Sequence, residues 1–174
     1  LQGLSRQTAS IKPHRGTGEG DYYTGAAATM VWRAWQLTTF ASFRRLDATL
    51  DGVSILTLKT DGFHRTLLEQ ARQGNTRGNL FGVHLGYAAH GFHLGVTAMY
   101  QSFNRNFTLS SQSYKRYSPQ GHDFWNASVD YAWHHHRLSI VGETAIDMKG
   151  AIATLNTLRV KLLDKLHITL LQRY

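Results

Sequence analysis

Residues 80–103 read LFGVHLGYAAHGFHLGVTAMYQSF, and the alternation within them decides the fold. Side chains on a β-strand point to opposite faces in turn. Phe81, Val83, Leu85, Tyr87 and Ala89 therefore share one face, and Leu80, Gly82, His84, Gly86 and Ala88 the other. After His90 and Gly91 the pattern resumes. Phe92, Leu94, Val96, Ala98 and Tyr100 share a face opposite His93, Gly95, Thr97, Met99 and Gln101. This spacing predicts a hairpin with a tight turn and arms of about 11 residues. That is the length of a tilted membrane strand and about twice that of an ordinary globular one.

The same design recurs on both sides. Trp125, Ala127, Val129, Tyr131 and Trp133 alternate with Asn126, Ser128, Asp130 and Ala132, and a short connection at His134, His135 and His136 follows. Leu138, Ile140, Gly142, Thr144 and Ile146 then alternate with Ser139, Val141, Glu143, Ala145 and Asp147. Upstream, strands over 23–32 and 35–43 flank a turn at Arg33 and Ala34; downstream, 152–162 and 166–170 flank a turn near Asp164. A further strand is expected at 8–12. The other connections, 49–79 and 104–121 above all, are longer and polar. Short turns at one end and long loops at the other are the asymmetry of an outer-membrane barrel. Trp32, Trp35 and Trp133 lie beside short turns, where aromatic rings would sit at the head-group level of the periplasmic leaflet.

The expected fold class is thus all-β, an antiparallel up-and-down transmembrane β-barrel, with 1–174 as a single barrel region. Within 49–79, an extracellular or lumenal insertion, 52–59 reads as a strand and 64–73 as a short helix ended by Gly74 and Asn75. The strand count comes to about nine, whereas single-chain bacterial barrels have even numbers, so the chain is expected to be part of a larger barrel.

Composition fits this reading. The 174 residues hold no cysteine, which removes a disulfide framework and thiol chemistry. Mean hydropathy is -0.32, and there is no apolar run of the roughly 18 residues that a membrane helix needs. A barrel escapes that test because only every second residue faces lipid. The segment LQGLSRQTASIKPHRG lacks the apolar core of a signal peptide, so either a leader was removed or the sequence starts inside a longer protein. A net charge of +8 favours anionic partners.

The order IKPHRGTGEGDYYTGAAATMVWRAWQLTTFASFRRLDATL, then LKTDGFHRT, then LGVTAMYQSFNR, resembles the barrel portion of uncharacterised Bacteroidetes outer-membrane proteins that often carry helix-hairpin-helix segments. The resemblance covers roughly 11–174 and is most specific over 23–47 and 60–66. It implies location and architecture, and supplies no catalytic motif or substrate.

Seven residues, His84, His93, Asp130, Glu143, Asp147, Arg159 and Lys161, fall on the polar face and are candidates for lining the lumen. Cross-strand pairing can bring Asp130 near Glu143 or a histidine. The bland role of these residues is hydrogen bonding in the lumen, with Arg159, Lys161 or Arg44 as partners for carboxylates. Arg44, Arg45, Arg105, Lys115 and Arg116 lie near the long-loop ends, as phosphate or anion contacts or simply as solvated charges. The three consecutive histidines point to alternate faces and cannot readily share an ion, so they read as a solvated turn and no metal or other cofactor is expected. Interleaved basic and aromatic residues at 103–107 and 115–117 resemble single-strand binders, but the basic residues form no dense stripe and no nucleic-acid partner is expected. An embedded hydrolase would need Ser and His on the lipid side, whereas Ser128 and Ser139 fall on the interior face.

The expectation is therefore a non-enzymatic barrel in the bacterial outer membrane: a pore, transport conduit or scaffold. Its partners would be outer-membrane lipid, lipopolysaccharide and other envelope proteins. The alternatives are a soluble all-β ligand-binding barrel or sandwich, whose apolar face would point inward, and the barrel hydrolase. Charged residues at 17% are sparse for a soluble exterior.

Overall fold

The computed structural model describes residues 11, 22–108, 119–163 and 165–174. Among them are nine strands and one short helix: β1 (Gly25–Trp32), β2 (Trp35–Asp51), β3 (Ser54–Lys59), α1 (Leu67–Arg72), β4 (Thr76–Ala89), β5 (Phe92–Phe107), β6 (Gly121–His135), β7 (Leu138–Asp147), β8 (Ile152–Leu163) and β9 (Leu166–Arg173). The expected strand at 8–12 lies, except for Ile11, outside the described residues.

β2 pairs with both β1 and β4 along its first half, and β4 to β9 then pair in chain order, every ladder antiparallel. β3 departs from this order. It folds back on the far end of β2 and meets β5 in parallel at Ile55 and Phe107. The ladders of β2, β3, β5 and β4 so close a barrel core, with β1 on one flank and β6–β9 on the other. An up-and-down order predicted β3 between β2 and β4 in the sheet; the ladder instead joins β2 directly to β4, because β3 reaches only the loop-end portion of β2.

Three tight turns, at residues 33–34, 90–91 and 136–137, gather at one end, while a two-residue turn at Gly52 and Val53 joins β2 to β3 at the other. His90 and Gly91 both have positive φ, 50° and 78°, as a two-residue hairpin turn matching strand twist requires. The turn after β6 falls at His136 and Arg137, later than the sequence suggested. His134 pairs with Ser139 and His135 with Leu138, so two of the three histidines belong to strands.

The central strands are longer than expected: 17 residues in β2, 14 in β4 and 16 in β5. Residues past the expected ends keep pairing because the two faces exchange polarity there. On β5 the outward face runs Phe92, Leu94, Val96, Ala98, Tyr100, then Ser102, Asn104 and Asn106. Its inward face runs His93, Gly95, Thr97, Met99, Gln101, then Phe103, Arg105 and Phe107, with the Arg105 guanidinium reaching out to Val53 O. β4 changes in the same way, from outward Tyr87, Leu85, Val83 and Phe81 to Asn79 and Arg77. On β2, Phe43 is the last outward apolar residue before Arg45 and Asp47, while Leu46, Ala48 and Leu50 turn inward.

The inverted end builds a small conventional core. Ala48, Ile55 and Phe103 are buried, and Leu46, Leu50, Leu58, Phe107 and Phe124 pack on them. Phe103, Phe107 and Phe124 meet edge to face with centroids 4.9–6.0 Å apart, a favoured aromatic geometry. Phe103 is thus a core residue and not an exposed base-stacking platform.

The connection between β3 and β4 follows its sequence closely. α1 starts at Thr66, which caps Glu69 N–H while the Glu69 carboxylate accepts from Thr66 and Arg65 N–H. Those backbone donors, Thr66 first, hold the Glu69 carboxyl below its ordinary pKa. Residues 49–51 and 76–79, expected in the insertion, instead extend β2 and β4. Asn75 pins the return: its side-chain amide donates to Ala48 O at 2.9 Å and accepts from Ala48 N at 3.1 Å, taking the place of a strand neighbour. Asp47 accepts from Gly74 N and pairs with His64, each at 2.7 Å.

Candidate functional site

Ladder partners share a face, so the register defines rows across the sheet. One inward row runs Gln36, Gly86, Gly95, Asp130, Glu143 and Leu155 across β2, β4, β5, β6, β7 and β8. The row above holds Thr38, His84, Thr97 and Ser128; the row below holds Ala88, His93, Ala132 and Val141. Two adjacent glycines therefore leave a gap in the inward face, and the side chains around it lean in. His93 Nε2 lies 2.7 Å from Asp130 Oδ2, and His84 Nδ1 lies 4.0 Å from Asp130 Oδ1. Thr97 Oγ1 is 2.9 Å from His84 Nδ1. A Cβ on Gly95 would overlap the Asp130 carboxylate, and one on Gly86 would stand 3.2 Å from His84 Nε2 and 3.4 Å from His93 Cε1.

All seven candidate lumen residues lie on this inward face by register, but they do not converge. Only His84, His93 and Asp130 form a cluster among the described residues with ligand atoms within 4.8 Å of one another. Asp130 finds its partners in histidines, one of the cross-strand possibilities raised by its sequence, and not in Arg159, Lys161 or Arg44. Glu143 stands directly opposite Asp130, an unfavourable like-charge pairing unless one carboxylate turns aside. Asp147 works locally, accepting from Lys149 N and Ala151 N at 2.8 Å to shape the turn into β8. Arg159 lies opposite Ser139 and Thr169, and Lys161 opposite His167, nearer the tight turns. Ser128 and Ser139 remain on the inward face.

The proposed anion residues also disperse. The Arg44 guanidinium sits over the rings of Tyr22 and Tyr23, 5.7 and 5.6 Å from their centroids. Arg45 points outward beside Gly74, and Arg105 reaches Val53 O at 3.2 Å. Lys115 and Arg116 lie outside the described residues. Arg44, Arg45, Lys59 and His64 do share the wall of a loop-end cleft of about 650 Å³.

The outward face carries two levels of aromatic rings. At the tight-turn end Trp32 pairs with Trp35, Trp35 with Tyr87, and Phe92 with Trp133. Trp35 and Tyr87 pack with centroids 5.0 Å apart, and Trp133 stacks on His135 at 5.8 Å. Toward the loop end Phe81 pairs with Tyr100 and Tyr100 with Trp125, while Phe43 meets Phe81 edge to face at 5.4 Å. Between the levels stand exposed Val83, Leu85, Leu94, Val96 and Val129. The apolar outward face is interrupted on β6, β8 and β9. Tyr131 donates to Asn156, Asn156 to Gln172, and Gln172 to Thr154, at 2.7, 2.6 and 3.0 Å. Gln172, which breaks the alternation of the last strand, belongs to this chain of bonds.

Sequence parity identified the inward residues but missed the significance of Gly86 and Gly95. The signal was present as a glycine two positions after each histidine. No protein-family model, curated protein or solved structure matches this chain.

Proposed function

We propose that this chain is a transmembrane β-barrel region of a bacterial outer membrane, with a polar interior face that serves as a conduit or scaffold. The observation that carries this reading is the exchange of polarity along the central strands. A soluble barrel keeps its apolar side inward along the whole strand. On these strands the large apolar side chains are outward between the two aromatic levels, apart from inward Phe40 and Met99 one step inside the second level, and inward beyond it. From Phe92 to Tyr100 are eight strand steps, about 26 Å of backbone at roughly 3.3 Å each. An outer-membrane apolar band is about 25 Å tall and flanked by aromatic girdles at both interfaces. Tilt shortens the projected height, so the match is in scale. Beyond Tyr100, β2–β5 extend into water and bury their apolar residues in the usual sense.

This location agrees with the resemblance to Bacteroidetes outer-membrane barrels and sets lipid and lipopolysaccharide as the surroundings. Polar groups on the outward face of β8 and β9 bond one another, which lowers the cost of placing them near lipid. The test is to express the full gene with its native leader and fractionate the envelope. The product should enter the outer membrane and migrate as a compact species in detergent until heated. A monomer fully soluble in water without detergent would overturn the proposal. Conductance across a planar bilayer then separates an open conduit from an occluded scaffold.

A further inference from the structure

We propose that His84, His93 and Asp130 form a binding site for one first-row divalent metal ion, with Zn²⁺ as the representative. This goes beyond the membrane reading and does not depend on it, since the site lies on the inward face whatever covers the outward one. Two imidazoles and a carboxylate are the donor set of open zinc sites and of the two-histidine, one-carboxylate facial sites of ferrous iron. The three residues come from three different strands, so rigid ladders on both sides of β5 hold them in place.

Four observations converge on the same spot. First, one ligand atom from each residue already lies within 4.8 Å of the others. Tetrahedral bonds of about 2.0–2.2 Å would bring them to roughly 3.4 Å apart, a closure of up to about 1.4 Å. Secondly, the glycine pair is what lets the three side chains gather. A Cβ at Gly95 would occupy the place of the Asp130 carboxylate, and one at buried Gly86 would stand 3.2 Å from His84 Nε2 and 3.4 Å from His93 Cε1. Thirdly, His84 has an outer partner. When Nδ1 carries the proton it donates to Thr97 Oγ1, and Nε2 is left as the lone pair above Gly86, the arrangement that orients metal-binding histidines. Fourthly, Glu143 opposite Asp130 adds a second negative charge to the neighbourhood, which a cation relieves.

Binding replaces the hydrogen bond between His93 Nε2 and Asp130 Oδ2 with two metal bonds, and any proton shared there is released to solvent. The three side chains are about one quarter exposed, with values of 23–27%, so the ion is reached from the interior. Three protein ligands leave a fourth position for water or for an oxygen or nitrogen donor on a solute. His134, His135 and His136 are the competing histidines. The His135 and His136 rings lie 4.2 Å apart, but no third ligand joins them in a cluster among the described residues.

The experiment uses the full-length protein folded in detergent, titrated with Zn²⁺ alone and with Co²⁺ as an absorbing probe. Variants are H84A, H93A, the near-isosteric D130N, and the triple H134A/H135A/H136A, each checked for strand content by circular dichroism. The expected result is one equivalent of Zn²⁺ per chain and a visible Co²⁺ band. Affinity should fall at least tenfold in each of H84A, H93A and D130N and should persist in the triple variant. Wild-type affinity in folded D130N and H84A, loss of binding in the triple variant, or no binding by folded wild-type protein would each overturn the site.

Discussion

Val96 tests the lipid-facing surface most directly. It lies four steps from Phe92 and four from Tyr100, about 13 Å of strand from either aromatic level, and so at the middle of the apolar band. Its neighbours across the ladders are Leu85 and Val129, and all three are exposed. Val96 itself is 49% exposed. In water, Val96→Arg at such a position would change stability by no more than about 0.5 kcal/mol, because the guanidinium extends into solvent. In a bilayer an arginine near the midplane of the lipid face costs roughly 2–4 kcal/mol, while near an interface it costs about 0–1 kcal/mol. Asn79→Arg supplies the internal control. Asn79 is on the same face of the adjacent strand β4, two residues beyond Phe81 of the second aromatic level, where the outward residues have become polar. The assay is reversible guanidinium unfolding of protein inserted in phospholipid vesicles, followed by tryptophan fluorescence. V96R should lower the unfolding free energy by roughly 2–4 kcal/mol and N79R by under about 1 kcal/mol. Equal and small effects of the two would refute the argument, since they would mean that both positions meet water.

Three other outcomes follow from separate parts of the structure. Phe103→Ala removes a buried ring from the loop-end core and should cost about 3–5 kcal/mol in the same unfolding assay, against little change for Trp125→Phe, whose ring is exposed. Asn75→Ala leaves the Ala48 backbone groups without their side-chain partner, at a cost of about 1–3 kcal/mol, and limited proteolysis should then cut between β3 and β4 at lower protease concentration. The helix cap should depend on acidity. Glu69 has a folded-state pKa below its unfolded value of 4.5, so its stabilisation is present above that value and is lost as pH falls through the folded pKa. Proteolytic sensitivity of 66–72 should therefore rise in that acid range for the native chain and stay flat for Glu69→Gln.

The strands, their faces and the tight turns were legible because they are local. A period of two needs only the order of residues, so Phe81 and His84 could be assigned to opposite faces without any knowledge of neighbours. Gly74 and Asn75 after a run of helix formers likewise marked the end of α1. The strand ends were harder. Asn79 and Asn104 looked like loop residues because the apolar side had been taken as constant, whereas the strands continue and the apolar side changes.

Sequence by itself thus determined an all-β chain with long two-faced strands, and named the inward residues one by one. Tertiary structure alone decided which strands adjoin, that β3 leaves the sheet order to close a core, and which inward residues meet. His84 and Asp130 are 46 positions apart, and parity says only that they share a face. Their meeting depends on the register of β4 on β5 and of β5 on β6. A shift of one residue in either ladder would send every side chain of that strand to the other face. Register is a property of paired strands, and that is why the alternation visible along one strand could place histidines on the inward face and offer one as a neighbour of Asp130, but could not say which histidines would meet it.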